Sequence, residues 1–268
     1  LSEHVRDTYN VDLIPANDAA MLAAESEAFG SEKFGHLLLA FPEKGSGDTG
    51  DWRHEGDVGG GQYLYACVLF ETLTRKSCIG NTFRPSYDLK YDNMTFEELQ
   101  QIAHEAVAAE YGEDYCTEVL PDDIGGDDIY NFLIIGSSNA YYCIDELASV
   151  ARAAGVNMRV HHAYTSSIAF KTIAGNICEN SGSYSMQVWY DADGKGAKQS
   201  SEMSDKKLLS DILPAKEWDS VAVFETTNHL DDFGFDPANH EANKTNVINN
   251  CIYKNTTTGA TYGIGDVY

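Results

Sequence analysis

Residues 132–142 read FLIIGSSNAYY, and residues 143–162 continue CIDELASVARAAGVNMRVHH. Four large apolar side chains in a row, Phe132 to Ile135, leave no polar face, the pattern of a strand covered on both sides. Gly136-Ser137-Ser138-Asn139 is turn chemistry. Residues 143–154 favour helix and stop at Gly155. Val156 to His162 then alternates as a second strand. Strand, helix and strand in about 30 residues is the unit of a parallel sheet covered by helices. Ser220 to Phe224, following Trp218-Asp219, is a further strand. The expected fold is α/β: a three-layer α/β/α sandwich with a mainly parallel sheet.

Upstream of this unit, residues 112–130 (GEDYCTEVLPDDIGGDDIY) hold seven carboxylates, one Pro and three Gly, a linker composition. Before it the chain has helical character. Residues 16–28 are rich in Ala, Met, Leu and Glu. Residues 62–75 have helix-like apolar spacing at Leu64, Cys67, Val68, Phe70 and Leu73. Thr95-Phe96-Glu97-Glu98 is a capping box, ahead of the stripe Leu99, Ile102, Ala103 and Val107. HLLLAF at 36–41 reads as a short buried strand, and 45–61 as a Gly-rich polar stretch. Residues 1–268 are read as one domain, made of segments 1–111 and 131–268 joined by the linker 112–130.

The chain carries 42 acidic against 18 basic residues, a net charge of −24. A surface of that sign repels nucleic-acid phosphates and anionic lipid, so neither nucleic acid nor membrane is an expected partner. No run reaches the roughly 18 apolar residues of a membrane span. The chain begins at Leu1 with no visible signal peptide, and a leader is expected to have been removed or to lie upstream. Six cysteines (Cys67, Cys78, Cys116, Cys143, Cys178, Cys251) are widely spaced, with no CxxC pair, and allow up to three disulfides. Sequons at Asn93, Asn243 and Asn255 offer glycosylation sites. Acidity, cysteines and sequons together point to an extracellular, secreted protein.

Two places carry candidate chemistry. Ser138 follows a buried strand and precedes a helix, and ligands in parallel α/β sheets bind at the carboxyl ends of the strands. Asp51-Trp52-Arg53-His54 supplies a histidine, the side chain matched to proton transfer at neutral pH, with a carboxylate three residues earlier to fix its tautomer.

The surroundings of both places resemble SGNH-type serine hydrolases, in an uncharacterised and mostly bacterial branch. DWRHEGDVGGGQYLYAC, from Asp51 to Cys67, and GNTFRP, from Gly80 to Pro85, resemble that family's C-terminal block, whose D-x-x-H supplies acid and base. FLIIGSSNAYY resembles its first block, whose turn carries the nucleophile. The resemblance implies Ser138 as nucleophile, His54 as base and Asp51 as its orienting acid. It places Ser166 in the glycine block and Asn228 near the third block. The oxyanion donors would then be Ser138, Ser166 and Asn228. It also implies an ester substrate, plausibly an acetylated carbohydrate, with no cofactor and no metal. Ser137 and Ser166 depart from the family's Asp/Asn and Gly. His54 precedes Ser138, the reverse of the family's order, which fits a circular permutation or a chain spanning two copies of a tandem array. Self-association belongs to the second account, as does a rival function: an inactive hydrolase-fold glycoprotein serving as an extracellular structural or assembly subunit.

Other groups carry less. His161-His162 and His229 lack a metal-ligand spacing. Asp122-Asp123 with Asp127-Asp128 lacks the EF-hand pattern. His104 lies on the helix begun at Thr95 and reads as structural.

Overall fold

The computed structural model describes residues 12–26, 60–89, 94–116, 129–141, 143–166, 168, 170–199, 204–224, 253–254 and 261–262. In chain order the helices are α1 (Ala16–Glu25), α2 (Gly61–Thr74), α3 (Phe96–Tyr111), α4 (Ser138–Tyr141), α5 (Ile144–Ala153), α6 (Phe170–Cys178) and α7 (Leu209–Ile212). The strands are β1 (Tyr130–Gly136), β2 (Met158–Tyr164), β3 (Tyr184–Tyr190), β4 (Lys198–Gln199), β5 (Ser204–Lys207), β6 (Ser220–Val223), β7 (Tyr253–Lys254) and β8 (Thr261–Tyr262).

Six strands form one sheet in the order β4-β3-β2-β1-β6, with β5 also paired to β3. β1 runs parallel to β2 on one side, Phe132 opposite Val160, and parallel to β6 on the other, Phe132 opposite Ser220. β3 is antiparallel to β2, and β4 and β5 are antiparallel to β3. The expected α/β architecture is present, but the sheet is mixed rather than mainly parallel. The parallel part ends at β2. The chain returns through α6 and a turn at Gly182 (φ +82°) in the opposite direction, and the β3–β4 hairpin extends that half of the sheet.

Period-two alternation sends the two faces of the sheet into two apolar clusters. Phe132, Ile134, Val160 and Trp189 pack with α1, α2, α3 and α5. Leu133, Ile135, Ala163, Tyr184 and Met186 pack with α6 and α7 on the other face. The first cluster draws on Ala19 to Val107 as well as Tyr130 to Ala222, so both segments of the chain share one packed interior.

Local chemistry explains the helices. Thr95 caps α3, its hydroxyl accepting from the Glu98 N–H at 3.1 Å. α2 is buried on nearly all sides, as its continuous apolar composition requires. Its N-cap is Gly60, whose φ of +87° favours glycine, and a Cβ there would lie 2.6 Å from Leu99 Cδ1 and displace that side chain. α5 ends before Gly155, at φ +82°.

Several boundaries move. Tyr130, assigned to the linker from composition, opens β1 and bonds its N–H to Asn157 O at 2.9 Å. The second strand covers 158–164 rather than 156–162, because Val156 still bonds back to Ala151 O. α1 stops at Glu25. The strand expected at 36–41 and the core of the acidic linker lie outside the described residues. Among the described residues no helix is long and apolar enough to cross a membrane. Cys67, Cys78 and Cys116 carry free thiols, so no pairing among these three is formed.

Candidate functional site

Three parallel strands end on the same edge of the sheet. From β1 the chain crosses through α5 to β2 on one side, and β6 arrives later on the other. The carboxyl end of β1 is therefore a topological switch point, where open α/β sheets bind ligands. Thr165 N–H donates to Gly136 O at 3.0 Å, and Phe224 N–H donates to Ile135 O at 2.9 Å, so β1 is held on both sides up to its last residue. A Cβ on Gly136 would stand 3.0 Å from both Phe224 Cβ and Phe224 O. A side chain there would crowd Phe224.

Ser137 is fully buried just past Gly136, and its carbonyl accepts from Ala140 N–H at 3.2 Å. Ser138 is partly exposed and opens the one-turn helix α4. Ser166 is exposed two residues past the end of β2. Two of the expected site residues thus follow the ends of adjacent parallel strands. Asp51, His54 and Asn228 lie outside the described residues, as do the sequon asparagines Asn93, Asn243 and Asn255.

α2 lies against α5 and the start of β1. At its C-terminal end, Lys76 Nζ bonds to Ala154 O, and Tyr130 Oη bonds to Leu73 O at 3.5 Å. Ala154 ends α5 and Tyr130 begins β1, so the C-terminus of α2 sits at the sheet edge where β1 starts. Asn81 Nδ2, bonded to Val150 O at 2.8 Å, ties the same end to α5. α2 packs against α5 and is about 20 Å long at 1.5 Å per residue.

Sequence reading missed a buried polar pair beneath that edge. His162 lies beside Ile134 on β1 and opposite Gln187 on β3. It is wholly buried, and neither of its ring nitrogens, nor Gln187 Oε1, has a hydrogen-bond partner among the described residues. Burial pushes the His162 pKa down to about 3, against a weaker pull from the Gly136 backbone, so the ring is neutral at pH 7. Tyr164 stands edge-on to it at 5.5 Å. The place of His162 on the apolar face of the alternation, after Met158 and Val160, was the available signal.

His161 points to the opposite face, as strand alternation demands, so the two histidines cannot share one ion. Its Nε2 lies 3.3 Å from Asn131 Oδ1 and 3.4 Å from Lys216 Nζ, and its ring stands edge-on to Trp218. Burial first, then the Lys216 and Arg159 charges, lower its pKa to about 4. His229 and Asp122, Asp123, Asp127 and Asp128 lie outside the described residues.

No known protein family matches this chain, and no curated protein matches it. One solved structure with partial likeness is that of a DUF4886 family protein from Bacteroides uniformis ATCC 8492. It is 18% identical, with a TM-score of 0.33, over 40% of this chain and 39% of that one.

Proposed function

We propose that this chain is a secreted serine ester hydrolase of SGNH-like, permuted design that removes acyl groups, such as acetyl, from carbohydrate. One observation carries the reading. Ser138 opens a helix just past the carboxyl end of β1, at the switch point of the sheet.

Ser138 Oγ attacks the ester carbonyl carbon while His54 accepts its proton. The tetrahedral oxyanion is held by the backbone N–H groups of Ser138 and Ser166 and by Asn228. His54 then gives the proton to the leaving alcohol, and the acyl-enzyme forms. Water attacks that ester with His54 again as base, returning free Ser138 and a carboxylic acid. Asp51 orients His54 and stabilises its charged form. Ser166 in place of glycine keeps the backbone donor. The extracellular setting and the carbohydrate substrate rest on composition and on the resemblance. The shared packing of both segments supports a permuted single unit over a tandem pair.

Labelling with a fluorophosphonate tests the reading. Wild type is expected to label, and Ser138→Ala and His54→Ala are expected not to. Asp51→Asn should lower ester turnover by about 10⁴-fold. Labelling restored on mixing the Ser138→Ala and His54→Ala proteins would assign the site to neighbouring copies. A folded but unlabelled wild type overturns the enzyme in favour of an inactive assembly subunit.

A further inference from the structure

Far along the sequence from the serine turn, three side chains of different chemistry converge between α2, α3 and the turn after α3. Glu71 is fully buried in the third turn of α2. His104 lies midway along α3, and Cys116 lies five residues beyond its end; both are partly exposed. His104 Nδ1 is 3.1 Å from Glu71 Oε2, and Cys116 Sγ is 3.2 Å from the same oxygen. One ligand atom from each residue falls within 4.8 Å of the others.

We propose that Glu71 Oε2, His104 Nδ1 and Cys116 Sγ form a zinc site, with water as the fourth ligand. Zinc bond lengths put tetrahedral oxygen and nitrogen ligands about 3.3 Å apart, and oxygen and sulfur about 3.5 Å apart. The observed 3.1 and 3.2 Å separations need to open by only a few tenths of an ångström.

The outer shell is already built. Glu71 Oε1 accepts from the Cys78 N–H at 2.6 Å and from the Ser77 hydroxyl at 3.2 Å. Those bonds hold the carboxylate with Oε2 turned toward His104 and Cys116, as second-shell donors do around metals. The charges also close: a glutamate, a thiolate and Zn²⁺ sum to zero, which suits a buried centre. Without metal, burial and then Glu71 push the Cys116 thiol pKa up. Its weak S–H donor then serves a fully buried carboxylate, a poor use of that position. Binding replaces the thiol proton with zinc, so at least one proton leaves per zinc bound. The partly exposed side of His104 and Cys116 is the route for metal and water.

The experiment uses the full chain, stripped with chelator, dialysed with zinc chloride and then against metal-free buffer. Wild type is expected to retain one zinc per chain by mass-spectrometric metal analysis. Its Co²⁺ form is expected to show thiolate-to-metal charge-transfer absorption. His104→Gln and Cys116→Ser keep a donor toward Glu71 and should fold, as circular dichroism would check. Each should lose zinc affinity by more than the roughly tenfold to hundredfold that an outer-shell loss costs. Cys116→Ser should also lose the charge-transfer band. Wild type that holds no zinc, or variants that hold as much as wild type, overturns the site.

Discussion

Replacing Gly136 with alanine tests whether the end of β1 is held by close backbone approach. The added Cβ would sit 3.0 Å from Phe224 Cβ and from Phe224 O, against roughly 3.5 Å or more for a comfortable carbon contact. Phe224 must retreat by about half an ångström, and the retreat has a direction. It stretches the 2.9 Å bond from Phe224 N–H to Ile135 O toward about 3.4 Å, where little of it survives. Losing one backbone hydrogen bond costs about 1 kcal/mol, and overpacking adds about 1–3 kcal/mol. The expected sum is about 2–4 kcal/mol, read as a lower urea midpoint at unchanged slope. Because Gly136 lies two residues before Ser138, the variant should also label more slowly with a fluorophosphonate than its stability loss explains. A midpoint within about 0.5 kcal/mol of wild type would show that β6 is not clamped to β1 at this point, and the argument for a rigid switch-point edge would fail.

Two further perturbations test other parts of the structure. Thr95→Ala removes the hydroxyl that accepts from Glu98 N–H and should cost about 1 kcal/mol in urea unfolding, with Thr95→Ser close to wild type; equal stability of all three proteins would refute the cap. His162 has a folded pKa near 3, below the ordinary histidine value of 6.5, so the unfolded chain binds the extra proton as pH falls and stability drops between about pH 6.5 and pH 3. His162→Phe should flatten that acid limb by about 1.4 kcal/mol per pH unit, and an unchanged slope would mean the ring is already charged or exposed in the native state.

The βαβ unit was legible because each part rests on local chemistry. Phe132 to Ile135 has no polar face, residues 143–154 favour helix, and Gly155 stops it. Thr95 announced α3 for the same reason: a cap bonds three residues away, within reach of a sequence pattern. The antiparallel half of the sheet was not legible. β3 pairs with β2 in a register set only when α6 folds back, and no local signal fixes the direction of return. The disposition of His161 and His162 could be read from alternation once β2 was granted, yet which face is wet and which is dry depends on neighbours such as Trp218 and Gln187.

By itself the sequence determined an acidic α/β chain, its buried central strand, the serine turn after that strand and the helix capped by Thr95. Each is a property of residues within one turn or one strand of each other. Only the tertiary structure decided that the sheet is mixed and that the C-terminal end of α2 packs beside the start of β1. The same is true of Glu71, His104 and Cys116, brought together from positions 33 and 12 residues apart. Such meetings are set by how helices pack across a shared core, which depends on the volume and shape of many side chains at once and leaves no fixed spacing in the chain.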